Sequence, residues 1–188
     1  NLSGVDKTDL KRGDVVTIPG WLRPTTLVDV RLRYLPDVLR PNLKQYARRP
    51  LRHNTNFKFF SGAAEVMARL RLLGQKKLPA GQQGWAQLEL QEPVPLVKGD
   101  RFIVRIPSPP TTVGGGIVVD PHPGRKHRRF APRVIDRLET LAQGSPAEIM
   151  LQTLERSGPT PARELLSSSN LGEGAPEALT QLLGEGQA

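Results

Sequence analysis

The sequence predicts a small antiparallel β-barrel followed by a helical domain, and three observations carry this prediction. Between residues 26 and 106, apolar and polar side chains alternate in several short runs, which is typical of strands with one buried face. Turn residues separate the runs, and no convincing helix pattern occurs among them. From residue 131 onward, apolar residues instead recur at helical intervals. Closing about six such strands into a barrel would remove exposed sheet edges.

The clearest strand covers residues 26–35, where four apolar side chains alternate with polar ones. We predict that the apolar side is buried and that the other side is solvated, as in an antiparallel sheet with one wet face. The buried set is Val28, Val30, Leu32 and Tyr34, and the solvated set is Asp29, Arg31 and Arg33.

Four more strands are predicted at residues 54–60, 64–73, 85–90 and 101–106. Residues 64–73 also contain many residues that favour helix, but the strict alternation through Val66, Ala68 and Leu70 favours a strand. Residues 36–52 form a basic, proline-containing interruption between the first two strands, and residues 78–81 and 98–100 are predicted as turns.

Residues 107–119 are predicted as a tight excursion followed by the sixth strand. Pro107, Pro109 and Pro110 end the preceding strand, because proline has no N–H for a sheet ladder. The run Gly114 to Gly116 permits positive φ angles or the close approach of another backbone or ligand. The β-branched residues 117–119 then form the last strand.

The C-terminal part predicts short helices separated by brief turns. Ser145 and Glu148 have capping-box spacing, with proline at the first helical position between them. Thr160 is predicted to cap the next helix. A last helix is predicted from residue 174, with Leu179, Leu182 and Leu183 buried. Such helices fit a helix-turn-helix or winged-helix module, but no wing hairpin follows.

Positive charge is concentrated in the predicted barrel. Residues 1–130 contain 23 basic and 10 acidic side chains, a formal charge of +13, whereas residues 131–188 contain 4 basic and 8 acidic ones, a charge of −4. The first part is therefore a candidate polyanion binder, and the second is not.

Several functional classes are disfavoured. The chain has no cysteine, which excludes disulfides and thiolate zinc sites. His122 and His127 suggest no metal site, no GxxxxGK[ST] phosphate loop occurs, and no catalytic triad stands out. We expect this piece not to be an enzyme and to need no cofactor. No apolar run approaches the roughly 20 residues of a membrane span, and we expect a cytoplasmic protein.

Arginines dominate the outward faces of the predicted strands. The planar guanidinium group can donate two hydrogen bonds at once to phosphate, so these faces favour RNA or another polyanion. The alternative to polyanion binding is that these arginines are solvated strand residues that pair with carboxylates of the same chain. The arginines are Arg31, Arg33, Arg69, Arg71, Arg101 and Arg105. A basic run at residues 124–129 follows and is interpreted as a linker that also binds phosphate.

Particular motifs resemble a known family. The stretches RGDVV (12–16), PG (19–20), TTLVDVRLRYL (25–35), FFSGAAEVMARLRLLG (59–74), GWAQLEL (84–90), KGDRFIVRIPSPPTTVGGGIVVDPHP (98–123) and HRR (127–129) are similar to the C-terminal half of bacterial selenocysteine-specific elongation factors of the SelB type. The wider relative is the third domain of elongation factor Tu. The triple glycine followed by Asp-Pro is the specific part of this resemblance.

The resemblance implies a domain order. Residues 1–19 would end a preceding β-barrel, 20–122 would form the third-domain barrel, 123–130 the basic linker and 131–188 a truncated, helical, winged-helix-like domain. The full-length parent would be a GTPase that holds GTP and Mg²⁺ in a domain outside this piece. It would deliver selenocysteinyl-tRNA to the ribosome for UGA recoding and read an mRNA hairpin through further C-terminal domains.

The resemblance also nominates residues that contact tRNA. Relatives carry an Arg-His pair before a Phe-Phe-x-Gly segment, and a loop after the penultimate strand faces tRNA. With the outward arginines and the basic linker, the candidates are Arg52, His53, Arg69, Arg71, Arg105, Ser108, Thr111, Thr112, Arg125, Lys126, Arg128 and Arg129. The acidic tail departs from the family's RNA-reading helices and is predicted to be a spacer.

Two alternatives remain open at this point. In the first, the barrel is a protein-interaction module that packs against the GTPase domain of the same chain, and Arg31, Arg33 and Arg105 form interdomain salt bridges. In the second, the helical tail makes the chain a DNA-binding regulator, which the acidic balance of the tail disfavours.

Overall fold

We describe a computed structural model of the chain. The structure describes residues 4, 6, 8, 10–17, 22–36, 49–108, 110–169 and 171–187. The Pro19-Gly20 motif, Pro109 and most of the basic interruption at 36–52 lie outside these ranges. The described residues separate into two compact units, within 1–131 and within 132–188.

The first unit contains the predicted closed barrel of six antiparallel strands. Its strands are β1 Pro24–Tyr34, β3 Asn56–Ser61, β4 Ala64–Leu72, β6 Gln83–Pro95, β7 Arg101–Ile106 and β8 Thr111–Asp120. Their order around the barrel is β1-β6-β4-β3-β7-β8, and β8 pairs with β1 to close it. Two further strands, β2 Leu51–Arg52 and β5 Lys77–Leu78, pair with each other beside the barrel.

Alternation places the apolar side chains inside the barrel, as predicted. All four apolar residues of the predicted buried set in β1 are at most 2% exposed. Phe59 of β3 stacks on Phe102 of β7 with ring centroids 5.3 Å apart. The strand prediction for residues 64–73 is confirmed, because Val66, Ala68 and Leu70 point into the core while the residues between them point outward.

The prediction for the glycine run was wrong in one respect. Gly114, Gly115 and Gly116 do not form part of an excursion but lie inside β8, between β1 and β7. A Cβ on Gly114 would come within 2.6 Å of the Arg33 carbonyl oxygen, and one on Gly116 would overlap the Arg31 carbonyl oxygen. The glycines therefore permit close backbone approach where the barrel closes, and not positive φ angles.

The second unit consists of helices. These are α1 Pro132–Gln143, α2 Pro146–Ser157, α3 Ala162–Ser168 and α4 Ala175–Gly184, with a 3₁₀ turn at Gly172–Gly174. Met150 of α2, Leu165 of α3 and Leu182 of α4 form its apolar core together with small residues. The capping box at Ser145 is confirmed: Glu148 N donates to Ser145 Oγ, and Ser145 N donates to the Glu148 carboxylate at 2.7 Å.

Two helix predictions were wrong. Thr160 does not cap α3, because its hydroxyl donates to the Gly158 carbonyl, and the N-cap position is held by Pro161 without a side-chain bond. Leu183 is not buried but 58% exposed, since only one side of the short α4 helix packs on the other helices. Residues 10–17 contain a turn and no strand, and their assignment to a preceding barrel stays a prediction.

Replacing Ser145 with alanine is expected to destabilise α2 by about 1 kcal/mol, because the first-turn N–H of Glu148 loses its acceptor. Amide hydrogen exchange of α2 measures this loss. Ser167→Ala on the exposed side of α3 is the control and should leave α2 unchanged. Equal exchange in Ser145→Ala and the unsubstituted chain would contradict the capping role.

The same box predicts a pH dependence. The hydrogen bonds from Ser145 lower the pKa of Glu148 below its ordinary 4.5. A lowered pKa means that the ionised form stabilises the fold, so this contribution is present above pH 4.5 and is lost as the pH falls through the lowered pKa. Protection of α2 amides should therefore fall on acidification, and less so in Ser145→Ala.

Candidate nucleic-acid interface

Outward side chains of neighbouring strands form rows across the barrel, because paired residues point to the same side of a sheet. In one row, Arg69 of β4 lies opposite Glu89 of β6. In the next row, Arg71 of β4 lies opposite Gln87 of β6, which in turn pairs with Asp29 of β1. The sheet thus brings two predicted site residues, Arg69 and Arg71, to one outer face.

The predicted linker crosses this face and packs on it. His127 Nε2 lies 2.6 Å from the Asp29 carboxylate, and the two side chains are 6% and 0% exposed. Gln87 donates to Asp29 at 2.9 Å and to the Arg125 carbonyl at 3.1 Å, and its own carbonyl accepts from His127 N. Arg71 donates to the His127 carbonyl at 3.0 Å. The row Asp29–Gln87–Arg71 is therefore the binding site of the segment around His127.

The expectation that Asp29 is solvated was wrong for this reason. Asp29 does point outward, but the segment around His127 covers it. Burial raises the pKa of Asp29, while the hydrogen bond and the charge of His127 oppose that rise. An alternating pattern shows the side of a strand on which a residue lies, but it does not show what packs there later.

The end of the same segment is also bound to the barrel. Arg129 Nε donates to the Leu72 carbonyl at 2.8 Å, and Arg129 Nη2 donates to the Gln75 carbonyl at 3.3 Å. Phe130 N donates to the Leu73 carbonyl, with φ at +59° for Phe130. The guanidinium of Arg129 thus binds backbone carbonyls of the barrel, whereas the side chains of Arg125 and Arg128 are exposed.

Arg52 and His53 lie next to this cluster. Arg52 is exposed at the end of β2, and His53 is half-buried. The Nδ1 atom of His53 is buried and has no hydrogen-bond partner in the described part of the chain. Burial lowers the pKa of His53, and the positive charges of Arg129 and Arg71 lower it further. Both effects favour the neutral imidazole, and the charges that act on His53 place it in the same electrostatic cluster.

A second group of predicted residues lies on β7, β8 and their connection. Arg105 lies over the Phe60 ring at 5.9 Å, and its buried Nε has no hydrogen-bond partner among the described residues. Thr112 pairs with Arg105 across the two strands. Thr111 and Thr112 are half-buried, and Ser108 is exposed in the turn.

The strand register joins the two groups. Asn56 of β3 pairs with Arg69, and Lys58, two residues further on the same side of β3, pairs with Arg105. A continuous outward surface therefore runs from the linker segment to the β7–β8 turn. We call it the basic face, and it comprises Arg52, His53, Lys58, Arg69, Arg71, Arg105, Lys126 and Arg128.

Carboxylates neutralise only part of the basic face. Glu89 lies 2.8 Å from Lys126 Nζ and 3.6 Å from Arg71 Nε, and Glu65 lies 2.7 Å from Lys58 Nζ. Within the residues that the structure describes, Arg52, Arg69, Arg105 and Arg128 form no ion pair. Guanidinium groups in this state can bind phosphate oxygens without first breaking a salt bridge.

Sequence reasoning missed the residues that organise this surface. Asp29 and Gln87 read as ordinary strand residues, and His127 read as one member of a basic run. No local sequence pattern links the three residues, since Gln87 is 58 positions and His127 is 98 positions from Asp29.

Two negative findings apply to the described residues: none of their helices is long and apolar enough to cross a membrane, and they contain no cluster of three potential metal ligands among His, Cys, Asp and Glu.

Comparison with known proteins gives consistent matches. The family described as "Selenocysteine-specific elongation factor, beta-barrel domain" matches residues 39–125. The chain is 36% identical over 158 residues to a protein named selenocysteine-specific elongation factor from Desulfomicrobium baculatum. A protein of the same name from Haemophilus influenzae is 26% identical over 167 residues.

These matches cover most of this chain but a small part of each relative. The alignments include 84% and 89% of the chain, but only 23% and 25% of the two relatives. The chain thus spans about a quarter of the length of the curated relatives it matches. The family match contains most of the basic face and ends before Lys126 and Arg128.

Proposed function

We propose that the chain is part of a selenocysteine-specific elongation factor, as its matches support, and that its barrel binds the backbone of selenocysteinyl-tRNA through the basic face. The observation that carries this proposal is a set of four arginines, Arg52, Arg69, Arg105 and Arg128, that form no ion pair within the part of the chain that the structure describes. A phosphate backbone presents negative charge at regular spacing and matches such a surface.

The role of the full-length parent follows from the family. We propose that it is a GTP-dependent elongation factor that brings selenocysteinyl-tRNA to the ribosome in the cytoplasm, where UGA is recoded. GTP and Mg²⁺ would bind a GTPase domain of the same chain, and an mRNA hairpin would bind further C-terminal domains. The barrel and the helices of this piece would bind no cofactor and catalyse no reaction, and the acidic helical unit would act as a spacer.

Salt dependence tests the tRNA proposal. Affinity of the chain for selenocysteinyl-tRNA should fall steeply between 50 and 200 mM salt, with a log–log slope of about −0.9 for each phosphate contacted in duplex regions. Arg69→Ala and Arg52→Ala should each weaken binding and reduce the slope by about 1. Fluorescence anisotropy with labelled tRNA measures both quantities.

The matched control is Arg163→Ala, which removes one exposed arginine from α3, outside the basic face. It should leave the affinity and the slope within error of the unsubstituted chain. Weak binding that does not change with salt would contradict a phosphate-binding role for the barrel. A selenocysteinyl-tRNA that competes no better than ordinary aminoacyl-tRNA for the full-length parent would contradict the assigned substrate.

A second candidate function is supported by outward apolar residues of β7 and β8, on the same side of β7 as Arg105. Ile103 of β7 and Ile117 of β8 are 45% and 38% exposed, and they lie on adjacent strands with Arg101 beside them. An apolar centre with a basic rim is typical of a protein interface. We propose that this side packs against the GTPase domain of the same chain, which would not require direct RNA contact. Binding of the separately produced GTPase domain, weakened by Ile117→Asp, tests it.

A further inference from the structure

The buried contact between His127 and Asp29 lies at the centre of the attachment of residues 124–130 to the barrel. Both side chains are shielded from water, and Gln87 joins the two residues because its amide group donates to the Asp29 carboxylate and its carbonyl accepts from the backbone N–H of His127. Loss of either partner leaves a buried polar group without its hydrogen bond, which is unfavourable. The attachment therefore has one defined register, with His127 inward.

This register determines where the neighbouring cations point. Lys126 and Arg128 flank His127 in sequence and are exposed, as expected for an extended segment in which alternate side chains face opposite ways. Lys126 reaches Glu89, which lies opposite Arg69 on β4. The His127 carbonyl accepts from Arg71. The attached segment thus places Lys126 beside the arginines of β4 and leaves Arg128 exposed next to the residue whose carbonyl Arg71 binds.

We propose that Asp29, Gln87 and His127 are positioning residues of the basic face: they hold residues 124–130 on the barrel so that Lys126 and Arg128 bind the tRNA backbone together with the arginines of β4. This inference rests on the proposed function. The three residues are covered and touch no RNA, so any effect on RNA binding passes through the attached segment.

Trypsin provides a readout that does not depend on RNA. Cleavage after Arg125, Lys126 and Arg128 requires the segment to leave the barrel, because a protease binds its substrate in an extended, accessible form. In the full chain, His127→Ala should increase the rate of cleavage at these positions by at least about tenfold. Mass spectrometry of the fragments measures this rate. His122→Ala is the matched control, since it changes a half-buried histidine that lies just before the segment and is not part of the contact.

Binding of tRNA provides the second readout. His127→Ala should reduce the slope of log affinity against log salt by about 2, as should the double variant Lys126→Ala/Arg128→Ala. The triple variant should show about the same slope as the single variant or the double variant, because the same two cations are lost from the tRNA contact in each. A merely structural effect of His127 would instead add to the effect of the double variant.

The outcomes separate clearly. Unchanged cleavage in His127→Ala, or faster cleavage with unchanged tRNA binding, overturns the positioning role. If the unsubstituted chain shows no salt-dependent tRNA binding while His127→Ala still increases cleavage, the proposed function fails and the positioning role fails with it, although the attachment itself remains. If His127→Ala does not fold, Asp29→Asn, which preserves side-chain volume, is used in its place and is expected to change both readouts in the same direction.

Discussion

Gly116→Ala is expected to destabilise the barrel by about 3 kcal/mol, at the upper end of the usual range for overpacking. A Cβ at this position overlaps the Arg31 carbonyl oxygen of β1 and comes within 3.1 Å of the Phe102 ring. The obstructing atom belongs to the backbone of a paired strand, so it cannot move away without disturbing the β1–β8 pairing that closes the barrel. Urea unfolding followed by tryptophan fluorescence measures the loss, since both tryptophans precede residue 131.

Gly84→Ala is the matched control for this prediction. Gly84 also lies in a barrel strand, but the atoms nearest to the added Cβ belong to the side chains of Gln75 and Leu78. The end of a glutamine side chain can rotate away, so we expect a change within about 1 kcal/mol. Equal stability of Gly116→Ala and Gly84→Ala would show that the close approach of β8 to β1 is not required for closure.

Phe59→Ala is expected to cost about 3–5 kcal/mol, the usual range for removing a large buried aromatic side chain. Phe59 is fully buried at the centre of the barrel and stacks on Phe102. Truncation removes this contact and leaves a cavity that the rigid barrel wall cannot fill. Chemical denaturation measures the difference in the free energy of unfolding of the barrel.

The control here is Ile103→Ala on the neighbouring strand β7. Ile103 points outward and is 45% exposed, so the expected loss is below about 1 kcal/mol. The comparison tests the assignment of inward and outward sides directly. A larger loss for Ile103→Ala than for Phe59→Ala would mean that β3 and β7 are described with the wrong side inward.

The predictions that succeeded depend on local physical rules. Alternation over β1, β4 and β6 reflects the period of two of any strand, and one apolar side requires a partner surface, so a closed sheet follows. The capping box at Ser145 succeeded for the same reason, since all its atoms lie within four residues.

The predictions that failed depend on neighbours distant in sequence. The glycine run reads equally well as a turn or as a strand with a close neighbour, and only the pairing of β8 with both β1 and β7 decides between them. Leu183 fits the helical pattern, but the small helical unit covers only one side of α4. The bonds from Arg129 to the carbonyls of Leu72 and Gln75 likewise join residues far apart in sequence, and the role of Arg129 in RNA binding stays a prediction.

The amino-acid sequence alone therefore specified the class of fold, the side of each strand that faces the core and the concentration of positive charge in the first 130 residues. The tertiary structure decided which arginines have no carboxylate partner among the described residues and how residues 124–130 bind the outside of the barrel. The physical reason is that burial of Asp29 by His127 joins residues 98 positions apart, and such a contact has no local pattern. The pairing of β1 with β6 brings Asp29 and Gln87, its partners on the barrel, together.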